Sequence, residues 1–139
     1  MIMERLDIRD LLPRHKTDVE RARALVALGF PAVEPVVGDL FLWLRDFNWP
    51  VAREIAPFLS SLAPSAVLPN VKAVLSSRDA IWKYWVLTLL VEHFPADSLR
   101  AIERELAQLA TAPDTDDVAE GVDEIARDLL ERLREAEPV

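Results

Sequence analysis

Two stretches of this chain repeat each other 34 residues apart, and that echo restricts the fold more than any other feature. Ala32-Val33-Glu34-Pro35-Val36-Val37 returns as Ala66-Val67-Leu68-Pro69-Asn70-Val71, with alanine, first valine, proline and last valine in register. Trp49 is answered by Trp82, and each follows a polar break holding an aspartate, Asp46-Phe47-Asn48 and Arg78-Asp79. Phe94-Pro95-Ala96 repeats Phe30-Pro31-Ala32 more faintly before an acidic C-terminal hairpin. A repeat of this length is a helix pair that buries its apolar face only by stacking on its neighbours, with a polar last unit as a cap. The segment Asp46–Leu62 is the hinge between the two clear copies.

The expected fold is therefore all-α: a right-handed stack of about seven helices in one domain spanning residues 1–139. Only three glycines occur, and no stretch sustains a strand-like alternation. Thr17-Asp18-Val19-Glu20 has the form of a capping box for a first helix that stops at Gly29. A second helix is expected from Pro31 to about Arg45, bent near its start by Pro35. Asn48 is the expected N-cap of the third, with Pro50 harmless in its first turn and Pro57 predicting a kink. Val51, Ala52, Ile55, Phe58, Leu59 and Leu62 form its core face. The fourth runs from about Ser65 to Leu75, and Asp79 caps the fifth. That fifth helix, Ile81 to Val91, is apolar almost all round, so Tyr84, Trp85, Leu87 and Leu89 are expected among the most buried residues. The sixth is capped by Asp97 or Ser98, and the seventh runs from Asp116 to Arg134.

Charge narrows the function classes. The net charge is −8, and ten acidic residues against three arginines fall after Pro113, so the acid is a C-terminal property. No basic stripe exists to neutralise phosphates, which argues against sequence-independent nucleic-acid binding. The start lacks the form of a signal peptide, and the longest apolar run, Trp85 to Val91, is far too short to span a bilayer. The expectation is a soluble cytoplasmic protein with no membrane contact.

Chemistry is sparse. There is no cysteine, hence no thiolate metal site. His15 and His93 lie in separate units, and a lone imidazole at a helix end is far more often a cap than a base. Asp114-Thr115-Asp116-Asp117 is superficially like a calcium loop but has Ala119 and Ile125 where glycine and glutamate are required. No phosphate-cradling glycine loop or nucleophile elbow is present. The expectation is a non-catalytic chain without cofactor or metal.

Leu28-Gly29-Phe30-Pro31-Ala32-Val33-Glu34-Pro35, Asp46-Phe47-Asn48-Trp49-Pro50-Val51-Ala52, Trp82-Lys83-Tyr84-Trp85 and Val122-Asp123-Glu124-Ile125-Ala126 carry a resemblance. They are similar to the motifs of a small bacterial family of unknown function with a HEAT-like helical fold, over roughly Leu11 to Leu133. The resemblance implies a fold and no catalytic residues.

Seven residues exceed what a core requires: Asp46, Asn48, Trp49, Arg53, Asp79, Trp82 and Lys83. Arg53, one turn after Trp49, is placed to stack on its ring. Lys83 falls among apolar positions and must either snorkel to a surface or find a carboxylate, for which Asp79 and Asp46 are the candidates. Such residues form either a ladder between repeats or a partner-binding groove. The partner class expected is another protein, met by an adaptor, regulator or immunity-type inhibitor, with the acidic end suited to a basic partner. The alternative is a HEAT-like enzyme or nucleic-acid-acting domain, which a groove lined with lysine and arginine would favour.

Overall fold

A computed structural model describes residues 7–137, and these form an all-helical domain with no strand. Nine α-helices occur among the described residues: α1 Val19–Leu28, α2 Val37–Phe41, α3 Pro50–Ser61, α4 Pro64–Leu75, α5 Ala80–Leu89, α6 Ala96–Ala101, α7 Glu103–Thr111, α8 Thr115–Ala119 and α9 Val122–Glu135. Short 3-10 turns cover Ile8–Leu11, Glu34–Val36, Leu42–Arg45 and Val91–His93. The Val51 amide donates to the Lys16 carbonyl at 3.0 Å, and a turn later Arg23 meets Glu54 at 3.0 Å. Thus α1 and α3 lie side by side and run the same way.

Helix α5 lies at the centre, packed on α3, α4, α8, α9 and the Leu42–Arg45 turn. Val86 and Leu87 are fully buried, and the Trp82 indole donates to the Phe41 carbonyl at 2.9 Å, tying α5 to α2. The α3 face predicted from periodicity is buried at Val51, Ala52, Ile55, Phe58 and Leu59, while Leu62 is half-buried. Pro50 stands in the first turn, and α3 and α4 continue through Pro57 and Pro69. Each interior proline removes one helix hydrogen bond, which packing on the opposite face offsets.

Several expectations need correction, and the helices are more numerous and shorter than the seven expected. The stretch 31–45 is not one bent helix. It starts as the 3-10 turn at Glu34, where Pro35 serves as a first-turn residue, and α2 lasts only five residues before another 3-10 turn. The sixth helix divides at Ile102, and the seventh divides at Gly121, whose φ of 75° lies in the left-handed region that favours glycine. The Thr17 capping box is absent. Asp18 holds the N-cap position but turns its carboxylate back to the Arg14 amide at 3.0 Å, while the Thr17 hydroxyl bonds His15 Nδ1 at 3.0 Å. Trp49, not Asn48, is the N-cap of α3, and Pro95 that of α6. Tyr84, Trp85 and Leu89 are only half-buried. In the acidic last helix, Asp123 is buried and pairs with Arg127 at 2.8 Å.

Candidate protein-docking groove

The two strings Asp46–Ala52 and Trp82–Trp85 meet along one groove. In the first, Asp46 is extended, and its Oδ1 accepts the Asn48 amide at 2.8 Å while its carbonyl accepts the Trp49 amide at 3.2 Å. This is the turn that aspartate favours, because its side chain mimics a backbone acceptor two residues on. Pro50 follows with its φ preset for a helix, so Trp49 is held at the entry to α3. In the second, Asp79 Oδ1 accepts the Trp82 amide at 3.0 Å and starts α5.

Together these elements enclose a groove of about 580 Å³ lined by Arg45, Asp46, Asn48, Trp49, Asp79, Ile81, Tyr84, Trp85 and Glu120. Its aromatic walls are braced from behind. Trp43 meets Trp49 edge-on at 5.8 Å, Phe47 lies 5.5 Å from Trp85, and Tyr84 packs edge-on to Trp85 at 5.0 Å. Ile81 is 49% exposed at the rim. Beyond Asp79, Ile81 and Glu120 the groove continues past Arg78, Asp116 and Ala119, and then to Asp114 and Thr115. The whole path carries Asp46, Asp79, Asp114, Asp116 and Glu120 against Arg45 and Arg78. Its field is negative and would draw a basic surface.

Of the seven residues singled out in the sequence, the groove brings together Asp46, Asn48, Trp49 and Asp79. Arg53 is elsewhere: its guanidinium lies 5.9 Å over the Phe47 ring, and it is Arg45 whose guanidinium lies 5.9 Å over Trp49. Trp82 points its indole into the fold. Lys83 is not part of an aspartate ladder with Asp79 or Asp46. Its ammonium, 2% exposed as a residue, lies 2.6 Å from Asp117 Oδ1, and Asp117 is 3% exposed. The approach departs from hydrogen-bond angles, leaving that oxygen without a hydrogen bond, so the pairing is chiefly ionic. Asp117 is held by a capping box in which its amide donates to Asp114 Oδ1 at 2.8 Å and the Asp114 amide donates to Asp117 Oδ2 at 3.3 Å. Lys83 and Asp117 line a polar cavity of about 360 Å³ with Ser76, Arg104, Glu105 and Gln108.

Sequence reasoning missed Ile81, Tyr84, Trp85 and Glu120 as groove residues and Asp117 as the lysine's partner. The capping spacing of Asp114 and Asp117 was visible. For the others there was no local signal, because an aromatic wall and an aromatic core look alike in sequence. Among the described residues no three histidine, aspartate or glutamate side chains converge as a metal site, and no helix is long and apolar enough to cross a membrane.

No curated protein matches this sequence. The model of the family described as "Domain of unknown function (DUF5071)" matches residues 11–130, nearly the whole chain, and the chain therefore belongs to that family.

Proposed function

We propose that this chain is a cytoplasmic, HEAT-like docking module, non-catalytic, that binds a segment of another protein in the groove between the Asp46 turn and the start of α5. It would act as an adaptor, regulator or immunity-type inhibitor. The observation that carries the reading is the groove itself: Trp49, Tyr84, Trp85 and Ile81 lie at a surface cleft ringed by carboxylates. Tryptophan and tyrosine in such clefts carry most of the energy of protein interfaces, because they bury a large rigid area around a polar anchor. The 34-residue echo and the parallel run of α1 and α3 support a stacked-repeat scaffold, which commonly presents such surfaces.

The test is quantitative capture from native lysate by the full chain and by variants matched for thermal stability. Trp49→Ala and Ile81→Asp should each remove a partner that the parent captures, whereas Arg53→Ala, outside the groove, should retain it. The reading fails if every partner survives both groove substitutions.

A further inference from the structure

We infer that the groove recognises a guanidinium: an arginine side chain of the partner's docking segment, stacked on Trp49 and facing the carboxylates of Asp79 and Glu120. This rests on the docking function proposed above and names its chemistry.

Three observations converge on it. The groove and its continuation carry more carboxylates than arginines, so a basic segment is the complementary occupant. The carboxylates keep capacity to accept, since the turn at Asp46 and the cap at Asp79 each use only Oδ1. Finally, the Trp49 ring already holds a guanidinium. Arg45 Cζ lies 5.9 Å from the ring centroid, the outer range of a cation–π contact. Arg45 is exposed, its Nε donates to the Leu42 carbonyl at 3.0 Å, and it makes no ion pair among the described residues. Arg45 is thus an internal guanidinium at the ring that an incoming arginine would stack on. Arginine fits better than lysine because its planar head stacks on an indole and forks to a carboxylate at once.

The experiment follows the four indole N–H signals of the full chain by NMR, assigned by substitution, during titration with N-acetyl-arginine amide or its uncharged near-isostere N-acetyl-citrulline amide. The Trp82 indole, bonded to the Phe41 carbonyl, is the internal control. The arginine probe should move the Trp49 signal, with half-saturation about two- to fivefold below that of the citrulline probe, the factor of an exposed cation–π contact. Arg45→Met should tighten the arginine probe, by freeing the ring and removing a like charge. Glu120→Gln and Asp79→Asn should weaken it and flatten its salt dependence, and asparagine preserves the helix cap. Equal binding of both probes, no shift at Trp49, or weaker binding in Arg45→Met would overturn the inference. If partner capture still depends on Trp49 while the arginine probe fails, docking stands and the guanidinium assignment falls. If the probe binds but capture ignores Trp49, the groove takes a cation and the docking function is the part that falls.

Discussion

Breaking the ion pair between Lys83 and Asp117 should be among the most damaging single changes in the molecule, and the two ends should not be equivalent. Their side chains are 3% and 4% exposed, with 2.6 Å between Nζ and Oδ1. Removing one partner of a buried pair costs about 3–5 kcal/mol, because the other charge is left without compensation in a poorly solvated site. Lys83→Met leaves Asp117 charged, but its Oδ2 still accepts the Asp114 amide, so the cost should fall near the lower end. Asp117→Asn keeps the shape but strands the ammonium, which has no other carboxylate ion pair among the described residues, so its cost should be the larger. The double change Lys83→Met with Asp117→Asn removes both charges while the asparagine oxygen still accepts the Asp114 amide, so its cost should be about 1–3 kcal/mol, that of an unpaired buried polar group. Urea unfolding followed by tryptophan fluorescence measures all four chains, provided m is unchanged. A coupling energy of about 2 kcal/mol or more is expected, with the double variant more stable than Asp117→Asn. Additivity within about 0.5 kcal/mol, or a cost for Asp117→Asn below about 1 kcal/mol, would show that the pair is solvated and the reasoning wrong.

Trp82→Phe should destabilise by about 1–3 kcal/mol in the same assay, since it leaves the Phe41 carbonyl without its donor, and equal stability would deny that bond a role. Gly121→Ala should cost about 1 kcal/mol from backbone strain alone, because the added methyl meets nothing within 4 Å while φ stays at 75°. The amide of Arg14 that hydrogen-bonds Asp18, helped by the Arg14 side chain, holds the Asp18 carboxyl below the ordinary aspartate value. A group whose folded pKa is lowered contributes stability above its unfolded pKa and loses it as pH falls through the folded one. Asp18→Asn should accordingly flatten the acid limb of stability against pH, and a carbon-13 titration placing Asp18 at or above the ordinary value would contradict the assignment.

The sequence by itself determined what depends on neighbours along the chain. The spacing of Val51, Ile55, Phe58 and Leu59 marks a helix face, Asp79 caps the helix that follows it, and Pro50 sits where its missing amide does no harm. These are interactions between residues up to one or two turns apart, and helical period and capping chemistry express them directly. Gly121 was also legible in principle, yet the apolar period of the last helix continues through it and hid the break. Tertiary structure decided which faces meet. The sequence left Lys83 either to reach a surface or to find a carboxylate, and its burial against Asp117, not Asp46 or Asp79, came from α5 packing against α8. The groove arose in the same way. The apolar circumference of α5 could not say that Tyr84 and Trp85 line a cleft while Val86 and Leu87 fill the core, because burial and docking both select apolar side chains and only the position of the neighbouring helices distinguishes them.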